Sequence, residues 1–206
     1  MSLRHSYTLF APIYDLMIAR ASERLRRHSL QRLQEERGGN VLIAGVGTGL
    51  DIPHLPPGPH YTAFDLTPAM LRQARRRAAG RSDVSLHLGN AHLLPYADNR
   101  FDAVVLHLIL AVVPQPQRLL SEVERVLRPG GRVLLLDKFL RPGQRAPLRR
   151  MLNLLTRHVA TRTDVVFEEV LACCPQLEVH HDEPVLAGGW FRRIELGKIE
   201  RHEQDR

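Results

Sequence analysis

The chain opens on a helical pattern. Leu9, Phe10, Ile13, Tyr14, Met17, Ile18, Ala21 and Leu25 recur at three-to-four spacing, which gathers them on one face of an amphipathic helix. Pro12 suits its first turn and Gly38-Gly39 suit its end. From Asn40 the pattern changes to short apolar runs bounded by turn residues: Asn40 to Ala44, His60 to Phe64, Val84 to Leu88, Phe101 to Leu106 and Arg132 to Leu136. These predict five strands. The Pro53 to Pro59 loop leads into the second, which ends at Asp65. Thr67-Pro68 predicts a capped helix start, with the helix running to about Ala79. Gln117 to Leu127 has helical spacing, and Arg128-Pro-Gly-Gly131 supplies a stop. Further on, Leu148 to Val159 and Val165 to Cys174 read as helices, and Leu177 to His180 with Phe191 to Leu196 as a final antiparallel strand pair. Trp190 reads as an anchor at the start of that last strand.

Helices alternating with strands predict an α/β fold with a mostly parallel sheet. The fifth strand is nearly all apolar, as suits a strand covered on both faces. Length and pattern together predict one domain over residues 1–206, ending in a charged, frayed tail from about Lys198.

Composition narrows the setting. The apolar stretch Ala103 to Val113 is interrupted by His107 and falls short of the ~20 residues that cross a bilayer. Arg4 and His5 open a mixed segment with no signal-peptide pattern. Cys173 and Cys174 are adjacent, which gives neither a disulfide framework nor metal-ligand spacing. A reducing cytoplasm and no metal are expected.

The formal charge is +7, and only Lys138 and Lys198 of the 29 cationic side chains are lysine. The cations cluster over Arg20 to Arg37, Arg72 to Arg81 and Arg141 to Arg162. Solvated helix faces are the plain reading; an acidic substrate or peripheral contact with an anionic membrane is the other. Aromatics are 5% of the chain and do not interleave with basic runs, so no nucleic acid partner is expected.

The first strand breaks into Gly45-Val-Gly-Thr-Gly49, three glycines at every second residue. Such a turn exposes bare backbone to a ligand, and a following helix N-terminus favours an anionic group there. A dinucleotide fingerprint, G-x-G-x-x-G, wants its third glycine at position 50, which is Leu50.

Four segments then stand in order: Gly45-Val-Gly-Thr-Gly49, Tyr61-Thr-Ala-Phe-Asp-Leu-Thr-Pro-Ala-Met-Leu71, Leu93-Leu-Pro-Tyr-Ala-Asp-Asn-Arg-Phe-Asp102, and Val123 to Leu136 with its Arg-Pro-Gly-Gly centre. Over residues 40–137 the chain resembles the class I S-adenosylmethionine (SAM)-dependent methyltransferases, in particular the methyltransferase type 11 branch that includes quinone and phospholipid methylating enzymes. The resemblance implies a Rossmann-like three-layer sandwich with a seven-stranded sheet, the last strand antiparallel, under an N-terminal helical lid at 1–37. It also implies SAM as cofactor, S-adenosylhomocysteine as product and a small-molecule methyl acceptor shaped mainly by residues 138–197.

By the same resemblance, Gly45, Gly47 and Gly49 wrap the methionine end. Asp65 holds the ribose hydroxyls, Leu66 packs on adenine, and Asn90 and Ala91 meet its edge. Tyr7-Thr-Leu-Phe-Ala-Pro-Ile-Tyr-Asp15 matches the lid motif, which makes Tyr7 and Tyr14 candidates for cofactor contact, with amphipathic packing as the competing role. The family commonly carries an acid two residues before the first glycine; here that position is Ile43. His107 is the catalytic candidate, a base at the carboxyl edge of the sheet; a packed core histidine is the competing role. Asp137 and Lys138 close strand five at that edge.

Three functions stay open on the sequence. The first is methylation of a small N, O or S nucleophile, and the second is N-methylation of a phosphatidylethanolamine-type lipid at a membrane surface. The third is a nucleotide-binding oxidoreductase or non-catalytic module on the same fold.

Overall fold

The computed structural model describes residues 22–36, 38–140, 165–186 and 191–200. Helix α1 covers 22–31 and continues as a short 3-10 turn, Arg32–Glu35. Strand β1 is Asn40–Ala44, β2 His60–Asp65, β3 Val84–Leu88, β4 Phe101–His107, β5 Leu127–Lys138, β6 Leu177–Leu186 and β7 Phe191–Lys198. Helices α2, Pro68–Arg77, and α3, Pro116–Val126, follow β2 and β4; α4 is the short Phe167–Leu171. One seven-stranded sheet forms in the order β3-β2-β1-β4-β5-β7-β6. The pairings from β3 through β5 are parallel, and β7 runs antiparallel to both β5 and β6.

Side-chain alternation along the strands builds the layers. Leu42, Ala44, Val104, Leu106, Val133 and Leu135 point to one face, where Leu119, Leu120 and Val123 of α3 and Phe167 and Val170 of α4 cover them. Val41, Ile43, Ala103, Val105 and Leu134 point to the other, under Leu30, Leu33, Leu71 and Ala74. This is the three-layer α/β arrangement expected. The strand order reverses between β1 and β4, and a sheet of this kind opens a crevice at the carboxyl ends of those two strands.

Four expectations change. Arg128-Pro-Gly-Gly131 does not separate helix from strand: β5 starts at Leu127, directly after α3, and absorbs the two glycines at a register shift opposite Phe101 and Ala103. Thr67 occupies the N-cap position of α2, yet its side chain makes no capping bond. The Val165 to Cys174 helix contracts to α4. Lys198 belongs to β7 and is buried, so the charged tail begins after it. Of the lid expected at 1–37, residues 22–36 are described and pack on the sheet through Leu30 and Leu33; Tyr7 and Tyr14, the helix over Leu148 to Val159, and Trp190 lie outside the described residues.

Candidate active site

The crevice is organised by the turn after β1. Gly45, Gly47 and Gly49 take positive φ of 72°, 56° and 88°, a region in which a side chain is strained. The amides of Gly45 and Val46 donate to the Phe64 carbonyl at 2.7 and 3.0 Å, folding the turn over the end of β2. A Cβ on Gly45 would strike Ile109, and one on Gly49 would stand 2.9 Å from Ala74 Cα in α2. A Cβ added at Gly47 would meet nothing within 4 Å. Packing therefore demands two of the glycines, and the third leaves open backbone on the crevice. Arg77 ties α2 to the turn by donating to the Thr48 carbonyl at 2.5 Å.

Asp65 ends β2 beside this turn. Its Oδ2 accepts the Gly47 amide at 2.8 Å and its Oδ1 the Thr67 amide at 2.8 Å. These two backbone donors fix the carboxylate, with the Thr67 side chain and the Leu66 amide beside them. Burial raises the Asp65 pKa, while its hydrogen bonds to Thr67 and Gly47 oppose the rise. Leu66 follows, 44% exposed. Past β3, Asn90 Oδ1 accepts the His92 amide at 3.0 Å, and Ala91 packs on the core. The predicted residues Gly45, Gly47, Asp65, Leu66, Asn90, Ala91 and His107 line one cavity of about 390 Å³. Gly49 does not line it; a side chain there would run into Ile52 and Ala74.

One wall of the cavity is charged. Position 107, like 103 and 105, faces α1. His107 Nδ1 lies 2.9 Å from Asp51 Oδ1, and Nε2 lies 3.1 Å from Ser29 Oγ. An ionised carboxylate only accepts, so Nδ1 carries the proton toward Asp51. The His107 side chain is fully buried, and both ring nitrogens are engaged by protein groups. Arg26 joins the cluster, donating from Nη1 to Asp51 Oδ1 at 2.8 Å and from Nε to Ser22 Oγ at 3.0 Å. Burial favours the neutral form of Asp51, but His107 and Arg26 outweigh it and hold the carboxyl well below its usual range. Ile43 packs in the core beneath and brings no charge.

The loop after β4 supplies Leu108, Ile109, Val112, Val113 and Pro114 to the cavity. Leu108 has a φ of 57° and donates to the Leu136 carbonyl at 2.8 Å. Asp137, 1% exposed, pins the loop by accepting the Ala111 amide at 2.9 Å, and its other oxygen accepts the Lys138 amide at 2.8 Å. Burial pushes its carboxyl up to about 6. Burial also lowers the Lys138 amine. Asp137 thus shapes the cavity from behind the loop.

Arg26, Ser29, Asp51 and His92 were not singled out by the sequence. Asp51 sits two residues past the last glycine, a local signal in hindsight of nothing more than proximity. Arg26 is one of many cations until α1 is docked. His92 lines the cavity with its Nε2 buried and without a hydrogen-bond partner among the described residues. Many remaining cations pair with carboxylates, as expected of folded helix and strand faces: Arg81 with Asp83, Arg125 with Glu122, Arg132 with Glu36 and Arg192 with Asp182. Cys173 and Cys174 are free thiols. Among the described residues there is neither a metal-ligand cluster nor a helix long and apolar enough to cross a membrane.

Comparison with known proteins agrees with this geometry. The family described as "Methyltransferase domain" matches residues 42–135. The chain is 35% identical over 194 residues to a phosphatidylethanolamine N-methyltransferase of Cereibacter sphaeroides, covering 92% of this chain and 94% of that one. It is 33% identical over 146 residues to a demethylmenaquinone methyltransferase of Symbiobacterium thermophilum, covering 66% of this chain and 58% of that one. Among solved structures, the [4+2]-cyclase SpnF superposes with a TM-score of 0.77 at 18% identity, covering 96% of this chain and 95% of that one, a likeness of fold alone. The glycine turn, the acid ending β2, the seven-stranded sheet and a relative matched over nearly its whole length place the chain in one family: it belongs to the class I SAM-dependent methyltransferases.

Proposed function

We propose that the cavity binds SAM and that the chain passes its methyl group to a small-molecule nucleophile. The observation that carries this reading is the convergence of the open Gly47 backbone and the Asp65 carboxylate on one cavity. The residues present suit the cofactor. Asp65 has two oxygens for a vicinal diol, Leu66 offers an apolar face, Asn90 and Ala91 meet a base edge, and Gly45 and Gly47 leave room for the methionine chain. Tyr7 and Tyr14 would add contacts from the lid segment.

SAM, when bound, supplies an electrophilic methyl group on a sulfonium. The protein's share is to hold donor and acceptor in line and keep water out, and such positioning lowers barriers by ~7–11 kcal/mol in well-oriented intramolecular cases. A base is required only where the acceptor arrives protonated. His107 would take that proton at Nε2 once Ser29 yields, with Asp51 holding the Nδ1 proton and steadying the charged ring.

A phosphatidylethanolamine-type amine is the acceptor best supported within this reading. The phospholipid methyltransferase relative matches nearly end to end. Leu88 and Leu93 stay exposed at and just past the crevice end of β3, where an apolar chain or membrane surface would be met. A cytoplasmic setting suits the free thiols.

The test is incubation with methyl-labelled SAM and vesicles of phosphatidylethanolamine, with and without anionic lipid. Labelled monomethyl lipid and vesicle co-sedimentation are expected. An unlabelled lipid pool, with label passing to a quinol or another soluble acceptor, would remove the phospholipid and keep the methyltransferase.

A further inference from the structure

We propose that Arg26 and Asp51 form a recognition site for an amino-acid zwitterion, Asp51 taking the ammonium and Arg26 the carboxylate at the amino-acid end of SAM. The assignment rests on the cofactor reading above and deepens it.

Strand order fixes the layout. Neighbouring strands run β3-β2-β1-β4, so their carboxyl ends present Asn90, Asp65, the glycine turn and His107 in that sequence along the crevice. A ligand with its base at Asn90 and its ribose at Asp65 carries its amino-acid end past the glycine turn, toward β4. That is where Arg26 and Asp51 line the cavity with Gly47 and Thr48.

The chemistry matches in sign and in number of donors. Arg26 and His107 both meet the Asp51 carboxylate at Oδ1, which directs Oδ2 to a further donor. A guanidinium has five N–H donors in a planar fork suited to a carboxylate. The described bonds of Arg26 run from Nε and Nη1. An ion pair taken out of water loses much of its attraction to desolvation. A zwitterion laid alongside supplies each buried charge with a second partner. Ile43, at the end of β1 on the same sheet face, is wholly apolar and packed, so the opposite charge for an ammonium must come from elsewhere on this wall.

Calorimetry with S-adenosylhomocysteine and 5′-methylthioadenosine tests the assignment, because the second ligand keeps the adenosine and thioether but lacks the amino-acid end. Asp51→Asn and Arg26→Gln should each weaken S-adenosylhomocysteine at least tenfold while 5′-methylthioadenosine stays within twofold, which also shows that the variants fold. Should a single change leave a lone buried charge and an unfolded chain, the double variant Arg26→Gln/Asp51→Asn removes both charges together and should show the same split. Equal loss of both ligands, or no loss of either, overturns the assignment and leaves the cofactor reading standing. A wild-type chain that binds neither ligand overturns both.

Discussion

Asp65 is held by two backbone amides and still faces the cavity, so its role is separable from that of His107, whose ring is closed off by Ser29 and Asp51. Hydrogen bonds to a charged group are worth about 1.5–3 kcal/mol each. Asp65→Ala should therefore raise the S-adenosylhomocysteine Kd roughly 100-fold, and His107→Gln by less than about tenfold. Titration calorimetry on both variants decides this, and equal affinities would contradict the map. Residues of this kind were legible because their signal is local: a glycine at positive φ or an acid ending a strand is written in adjacent positions. The Arg26, Asp51 and Ser29 cluster was not. Its members lie on α1 and at the glycine turn's exit, and only the docking of α1 onto the sheet brings Arg26 within 2.8 Å of Asp51 and Ser29 within 3.1 Å of His107.

At the scale of elements, the junction of α3 and β5 shows where pattern reading fell short. Gly130 takes a φ of 73°, and a Cβ on Gly131 would stand 2.8 Å from the Asp102 carbonyl. The glycines serve a close backbone approach inside a strand, while their propensity alone reads as a stop. The end of α3 is instead closed from a distance. Lys198 Nζ donates to the Glu124 and Leu127 carbonyls at 2.6 and 2.7 Å and to Asn99 Oδ1 at 2.9 Å. A tail reading of Lys198 misses this because its acceptors lie some seventy residues and more away. Lys198→Met should leave these acceptors unpaired at a cost of about 3 kcal/mol, lowering Tm by roughly 6–12 °C in a chain of this size. A thermal melt checks it; an unchanged Tm would show the lysine to be decorative.

Across the whole molecule, the order of strands places the crevice and buried carboxyls tune stability to pH. Asp137 titrates at about 6 in the folded chain, above the ~3.9 of an unfolded aspartate. The folded state therefore binds that proton more tightly. This contribution is complete below the unfolded pKa and is lost as pH rises through about 6, on the order of 3 kcal/mol in total. Asp51 has the opposite sign: held low by its partners against burial, it contributes above the unfolded pKa and its contribution is lost as the pH falls through the acid range. Asp137→Asn should thus gain stability relative to wild type between pH 4 and pH 7, as paired melts would show. A constant difference across that range would mean that the carboxyl stays ionised.

The parallel sheet and its antiparallel last strand were readable from alternating periods, most plainly at β1 and β4, which bury both faces, and least at β3, which stays largely exposed. The acceptor was not, because chemistry resides in sites rather than folds; a cyclase shares this fold at 18% identity.

The most direct test is titration of the purified chain with S-adenosylhomocysteine and, separately, with NAD. Saturable heat for the first and none for the second is the predicted result. Tight binding of NAD, with no heat for S-adenosylhomocysteine or for SAM itself, would contradict a cavity built around Gly47 and Asp65 for a sulfonium cofactor.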